Sequence, residues 1–456
     1  MKDYFISSTP REWFFYLLGD ISAIFLSLYL FRYAGPVGEY GILRAFLWLI
    51  PFYLLLFFIC DLFDTRICQG ARMLMHRIGS VLILSLFPLV VWSLIRGDAD
   101  ILVRYAPLCG MGLGFIFLWR LTARRLFASI ASPCRIIVVG NTFNGRKVIQ
   151  ALQEHTPGRY RFVGVVEPQG TLSGERGERY HVLGRIEDLV HIVDQHKPHV
   201  MVIALDERRE VFPAEQFLDW KLQGIEVRDA PDFYEQITGK ILINRLRPSW
   251  LLFTSGFGNK SMPQASKRLL DIVLSSLLLF FTSPILLVSA LLIRLDSRGP
   301  ILFRQERVGE WGKVFQLYKF RTMDANAEQK TGPTWAKKND HRITRVGRFL
   351  RQTRIDELPQ LINVLKGEMS LVGPRPERPF FVQKLDELIP YYKQRLIVKP
   401  GITGWAAINY RYCSTPRETG EKLSYDLFYI KHRSLLLDFF IGLKTVNIIL
   451  FRKGAL

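Results

Sequence analysis

The chain has 456 residues, enough for two or three domains, and carries a formal charge of +20 with 49% hydrophobic and 13% aromatic residues. Its charge is interleaved with long apolar runs, which favours an anionic membrane as partner and disfavours nucleic acid. The five cysteines (Cys60, Cys68, Cys109, Cys134, Cys413) form no CxxC pair and no zinc-like spacing, which excludes a disulfide framework or cysteine-held metal and implies a reducing compartment.

Residues 1–132 contain four apolar runs, roughly Trp13–Phe31, Ala45–Phe63, Ile78–Ile95 and Ile101–Leu121. Each is close to the ~20 residues that carry a helix across a bilayer, and a polar turn, Arg96–Asp100, joins the last two. The pattern predicts a four-helix transmembrane bundle, preceded by a polar Met1–Glu12 without a cleavable-signal pattern. Arg66, Arg72 and Arg77 follow the second run, and Arg120, Arg124, Arg125 and Arg135 the fourth, so both ends of the block are expected on the cytoplasmic side. Arg32, Arg44, Arg96 and Arg104 lie opposite and weaken that bias.

Residues 133–262 change grammar. Arg135–Gly140, Phe162–Val166, His199–Ala204 and Gly224–Val227 read as strands, with helices over Arg146–Leu152 and Ile186–His196, which predicts a doubly wound, Rossmann-like α/β domain. Its first strand–helix turn, Gly140-Asn-Thr-Phe-Asn-Gly145, lacks the glycine a dinucleotide fingerprint needs at Thr142, where backbone must approach the pyrophosphate. Glu167 stands near the position of a ribose-binding acid. A structural or regulatory role is expected over nucleotide binding.

A second apolar run, Leu269–Ile293, opens after Lys267-Arg268 and ends at Arg294 and Arg298. It is long enough to cross a bilayer. Ser283-Pro284 interrupts it, however, and both flanks are basic, so residues 267–294 are expected to enter and leave on the cytoplasmic face as a re-entrant hairpin.

The last domain, 263–456, is expected to be mainly α-helical. Lys319-Phe-Arg321-Thr-Met323 reads as a strand bringing two cations and a hydroxyl to one place, and Arg342, Arg345, Arg348, Arg351 and Arg354 recur every third residue. Gly373-Pro-Arg375-Pro-Glu377 is a rigid turn presenting an arginine and an acid. Pro400-Gly-Ile-Thr-Gly-Trp405, followed by Arg411, is a second glycine-rich loop, and such loops can offer backbone N–H groups to anions. Leu423–Leu450 is amphipathic and suits either the membrane interface or the face of the core.

At the centre lies Arg351-Gln-Thr-Arg-Ile-Asp356-Glu357-Leu-Pro-Gln-Leu361. Leu358, Leu361, Ile362 and Leu365 give one helical face, Pro359 suits its first turn, and Gly367 its end. Asp356 and Glu357 would then sit at the positive end of a helix dipole, which favours their ionised forms. Such acids are ordinarily caps and such arginines ordinarily a solvated face; three phosphate-ready loops around one acid pair point instead to phosphoryl chemistry.

These residues together resemble the bacterial sugar transferases, the monotopic polyprenyl-phosphate hexose-1-phosphate transferases. The resemblance runs from Lys267-Arg268…Asp271 through the Ser283-Pro284 break, Phe303-Arg304-Gln-Glu-Arg307-Val-Gly309, Lys319–Met323, Asp356–Leu361 and Gly373–Glu377 to Lys399-Pro-Gly-Ile-Thr-Gly-Trp405. With the N-terminal block and the altered nucleotide fold, it is similar to the long form that initiates exopolysaccharide or O-antigen synthesis. Arg354 departs from the small hydroxyl residue often found before the acid pair. The resemblance implies that Asp356 attacks the β-phosphate of a UDP-sugar, releasing UMP, and that a polyprenyl phosphate, undecaprenyl phosphate, then takes the sugar-1-phosphate. It implies Mg²⁺ as cofactor, contacted by Asp356, with Glu357 as the second catalytic acid, handling a proton or placing the metal. Lys319, Arg321, Arg351, Arg375, Glu377 and Arg411 become the substrate-binding candidates. A bacterial inner membrane with the catalytic domain on its cytoplasmic face is implied, with a homodimer and downstream glycosyltransferases as candidate partners.

Two other readings stay open at this point. One is a membrane-bound NAD-dependent nucleotide-sugar dehydratase or epimerase using the middle domain, against which stand Thr142 and the lack of a Tyr-x-x-x-Lys pair there. The other is a non-enzymatic scaffold of a polysaccharide export complex, which leaves the acid pair unexplained.

Overall fold

The computed structural model describes residues 10–34, 51–63, 71–130, 133–155, 160–167, 180–205, 213–243, 254, 256–257, 264–323, 342–410 and 415–451. The chain divides into two compact units, Met1–Gly239 and Lys240–Leu456.

The first unit begins with helices α1 (Pro10–Ala34), α2 (Ala71–Arg96) and α3 (Asp100–Ile130), and residues 51–59 are also helical. Gly19 allows α1 to meet α3 closely, since a Cβ there would fall on the Trp119 indole. Beside it, Arg120 donates to both carboxylate oxygens of Asp20 and to the Leu62 carbonyl, all buried. Arg77 lies 3.5 Å from Asp61. Two of the arginines read for orientation therefore hold helices together rather than standing as free interfacial charges. The expected second run begins at Ala45, and residues 45–50 lie outside the described residues.

The α/β part of this unit comprises β1 (Cys134–Val139), α4 (Phe143–His155), β2 (Tyr160–Glu167), β3 (Val182–Arg185), α5 (Leu189–His196), β4 (Val200–Ile203), α6 (Ala214–Leu222), β5 (Glu226–Asp229) and α7 (Ala230–Thr238). The sheet is wholly parallel in the order β3-β2-β1-β4-β5, the doubly wound arrangement. Ile137, Val139, Val166, Met201 and Ile203 form its core with Leu189, Ile192 and Trp220. Two fingerprint glycines serve their usual ends: a Cβ on Gly140 (φ +108°) would lie 2.5 Å from the Ala204 carbonyl oxygen, and one on Gly145 2.4 Å from that of Gly140. At the middle position, Thr142 donates its hydroxyl to the Ala204 carbonyl (2.7 Å). Glu167 is buried and accepts from the Asn141 amide (3.1 Å).

The second unit opens with α8 (Gln264–Asp296), which with the segments Arg72–Arg96 and Tyr105–Leu126 makes three helices among the described residues long and apolar enough to cross a membrane. The expected break at Ser283-Pro284 does not end the helix. Pro284 has no N–H for the Phe280 carbonyl, but the Ser283 hydroxyl donates to that carbonyl (2.7 Å), so the orphaned acceptor is satisfied locally and helix continues on both sides.

After α8 come a hairpin of β6 (Leu302–Val308) and β7 (Val314–Phe320), then α9 (Arg345–Thr353), α10 (Gln360–Lys366), β8 (Ser370–Val372), α11 (Pro379–Leu388), β9 (Gly401–Thr403), α12 (Trp405–Asn409), α13 (Pro416–His432) and α14 (Leu435–Leu450). α13 buries Leu423 through Ile430 in the core, the second of the two expected roles, whereas α14 buries Leu437, Ile441 and Asn447 and exposes Leu436, Phe439 and Leu450. Polar residues at the start of α8 tie it to this core. Arg268 donates to the last carbonyls of α10, Val364 (2.5 Å) and Leu365 (2.6 Å), and Asp271 accepts from the Ser370 hydroxyl (3.1 Å) and the Leu371 N–H (3.0 Å). At the other end Asp296 accepts from the Val346 N–H (3.2 Å), and Ile293 packs with Phe320 and Leu350.

Candidate active site

The acid pair lies in a turn between two short helices. Thr344 caps α9 by accepting from the Gly347 N–H (3.0 Å). A Cβ on Gly347 would fall 2.2 Å from the Thr322 carbonyl oxygen, so glycine lets α9 press against the backbone just past β7. Arg351 reaches the same place, its Nε donating to the Thr322 hydroxyl (2.8 Å). Arg354 then takes a left-handed conformation (φ 60°), ends α9 and turns the chain into a 3-10 turn, Ile355–Glu357. Pro359 caps α10 and Gly367 (φ 85°) closes it. Where a small hydroxyl residue is often found, Arg354 thus takes the left-handed conformation that glycine usually supplies.

Asp356 and Glu357 are both buried, at 8% and 9% exposure, and are treated differently. Phe315, Leu317 and Lys319 share one face of β7, the first two in the core, so Lys319 is delivered inward. Its Nζ lies 3.0 Å from Glu357 Oε1, and the Arg375 guanidinium donates to the same oxygen at 2.7 Å. Burial pushes Glu357 upward, but Arg375 and Lys319 outweigh it and hold its carboxyl well below the usual range. Burial also lowers the Lys319 ammonium, against the pull of Glu357. Asp356 has no hydrogen-bond partner among the described residues. Burial and the Glu357 charge push it up, against Lys319, Arg351 and Arg375, to about 6. The helix dipole is expected to favour the ionised form of both acids; that direction is seen at Glu357 and reversed at Asp356. Desolvation dominates at Asp356, and two cations dominate at Glu357.

The structure thus gathers Asp356, Glu357, Lys319, Arg351 and Arg375. Arg321 does not join them: its guanidinium binds the carbonyls of Ser297 (2.7 Å) and Arg298 (3.1 Å), bracing the end of α8. Glu377 is spent on Lys422 (3.0 Å) and Arg307 (3.7 Å); burial opposes but these cations and Arg395 bring it down to about 2. Arg411 lies outside the described residues. Nor do the glycine-rich loops offer all their N–H groups to anions. Gly373 donates to Thr403 and Gly401 to Pro374, both at 2.9 Å, and a Cβ on Gly401 would sit 2.1 Å from the Gly373 nitrogen. These glycines let two loops pack backbone to backbone. Sequence reasoning missed Arg395 and Asp426, a buried pair at 2.8 Å; the available signal was Asp426, the one charge inside the largely apolar stretch Leu423–Ile430.

The sequence model of the family described as bacterial sugar transferase matches residues 262–452, which include every residue of this site. UDP-N-acetylgalactosamine-undecaprenyl-phosphate N-acetylgalactosaminephosphotransferase of Aeromonas hydrophila is 42% identical over 234 residues, 51% of this chain and 54% of that protein. The chain thus spans about half the length of that relative. UDP-glucose:undecaprenyl-phosphate glucose-1-phosphate transferase of Xanthomonas campestris pv. campestris is 34% identical over 335 residues, 70% of this chain and 67% of that protein. The Escherichia coli (strain K12) protein of the same name is 47% identical over 182 residues, 40% of this chain and 39% of that protein. On this evidence, the chain belongs to the bacterial sugar transferase family.

Proposed function

We propose that the chain transfers a hexose-1-phosphate from a UDP-sugar to undecaprenyl phosphate, through a phosphoryl-aspartate on Asp356. The observation that carries this is the unequal acid pair: Glu357 is locked by Lys319 and Arg375, while Asp356 stands beside the same cations without a hydrogen-bond partner among the described residues. In the first step an Asp356 oxygen attacks the β-phosphorus, the bond from that phosphorus to the bridging oxygen breaks, and UMP leaves. In the second, an oxygen of the lipid phosphate attacks the same phosphorus, the aspartyl bond breaks, and a sugar-diphospholipid forms. Lys319, Arg351 and Arg375 offset charge on the diphosphate. Glu357, held ionised, orders these cations; the low range of its carboxyl disfavours a proton-handling role.

Among the described residues no group of three or more His, Cys, Asp or Glu could hold a metal, and the acids this site offers there are Asp356 and Glu357. That fits Mg²⁺, which takes one or two carboxylates together with substrate phosphates. Asp356 and the second oxygen of Glu357 would hold it. Bound there, it would neutralise charge on the diphosphate.

A re-entrant path for α8 is supported by its anchors. Arg268 and Asp271 near one end, and Ile293 and Asp296 near the other, all engage the same compact unit. A ~30 Å hydrocarbon layer would have to separate them if α8 crossed it. The wider reading is a four-helix transmembrane block, a Rossmann-like domain and a catalytic domain on the cytoplasmic face of the inner membrane. There it would start exopolysaccharide or O-antigen units, as a homodimer handing its product to downstream glycosyltransferases.

The test incubates membranes holding the full chain with Mg²⁺, undecaprenyl phosphate and a panel of UDP-hexoses. UMP release with one of them is expected. No release with any, or full activity of Asp356→Asn, overturns the proposal.

A further inference from the structure

The turn Gly373-Pro-Arg375-Pro-Glu377 has two prolines and so lacks two backbone donors. Its carbonyls are held from outside. Pro374 O accepts from the Gly401 N–H (2.9 Å), Arg375 O from Arg395 Nη2 (2.9 Å), Pro376 O from Arg307 Nη1 (3.2 Å) and Glu377 O from the Val308 N–H (2.9 Å). Four consecutive carbonyls are pinned, while the Arg375 side chain stays two-fifths exposed and reaches Glu357.

Arg395 differs from the other three donors. It is 3% exposed, it donates to the Tyr392 hydroxyl (2.9 Å), and its charge is met by Asp426, also 3% exposed, on α13. One turn away Lys422 pairs with Glu377, so α13 grips the mount at two points. A buried ion pair is a poor way to gain stability, because desolvating both charges offsets most of their attraction. Its value here is geometric: a short guanidinium bond to the main chain of a substrate-facing residue.

We propose that Arg395, braced by Asp426, is a positioning residue for the transfer reaction, fixing the backbone from which Arg375 reaches Glu357 and the diphosphate. This rests on the function proposed above and adds to it a buried pair that touches neither substrate nor acid pair.

The test is a double-mutant cycle on the full chain in membranes, read as kcat/KM for UMP release and separately as Kd for UDP. Arg395→Met alone should lower kcat/KM about 10- to 100-fold, the scale of an ångström misplacement. Arg395→Lys, which keeps the charge and one donor, should recover part of this. In an Arg375→Met background the same change should cost less than about 2-fold, because the residue it acts through is gone. Equal losses in both backgrounds overturn the proposal. If Arg395→Met does not fold, Asp426→Asn takes its place in the same cycle with the same outcomes. If the wild type releases no UMP, the proposed function fails, and the UDP-binding cycle alone decides whether Arg395 acts through Arg375.

Discussion

Asp356 combines the chemistry and the cost of this site in one side chain. Its carboxyl titrates near 6 in the folded chain against an ordinary 3.8, so the native state holds an extra proton between those values. Stability therefore falls as pH rises from about 4 to 6 and stays lower above it, while the ionised carboxylate, the nucleophile of the proposed mechanism, appears only over the same interval. UMP release should accordingly rise through about pH 6 to a plateau, measurable in buffered membranes at fixed Mg²⁺. Asp356→Asn should abolish release by at least ~10³-fold. The same variant should unfold later at pH 7 by up to about 3 kcal/mol, because the buried charge is gone. Glu357→Gln should lower activity yet shift the acidic limb to lower pH, since the Glu357 charge helps to raise Asp356. An unmoved limb would show that the two acids do not sense each other.

At the scale of elements, the parts that follow local rules were legible in sequence. β1 and β4 announced themselves as short runs of Ile and Val, and Gly367 ended α10 as expected. β3, only Val182–Arg185, was too short and too mixed to signal a strand. The unequal acid pair was hidden for another reason: the cations that decide it lie 38 residues before and 18 residues after Glu357, on elements whose meeting no local pattern encodes. Proline at position 284 was read correctly as a lost hydrogen bond, but the Ser283 hydroxyl that replaces it was not weighed. The loops around Arg375 show the same gap, since their glycines serve packing more than anions. Gly401→Ala would drive a Cβ into the Gly373 backbone, and a loss of more than about 2 kcal/mol is expected in thermal unfolding, with activity falling alongside it.

For the whole molecule, the apolar helices and the family assignment agree on a membrane enzyme, and the path of α8 sets where its site can be. Arg298 is exposed, and among the described residues only its carbonyl is used, by Arg321. Arg298→Cys, in a chain whose own cysteines are replaced by serine, should be shielded from an impermeant thiol reagent outside intact cells and labelled once the cells are opened. Labelling from outside would rule out the re-entrant path.

The anchoring of α8 also has a consequence in time. Asp271 waits for Ser370 and Leu371, which lie 99 and 100 residues later in the chain. At the usual 5–20 residues per second of synthesis, the ribosome needs roughly 5–20 s to make them. Through that interval a long apolar helix has left the ribosome while the protein groups that cap and hold it do not yet exist. On the re-entrant path proposed above, lipid would have to shelter it first, and the commitment of α8 to one face of the membrane would be made late, when the catalytic fold closes over both of its ends.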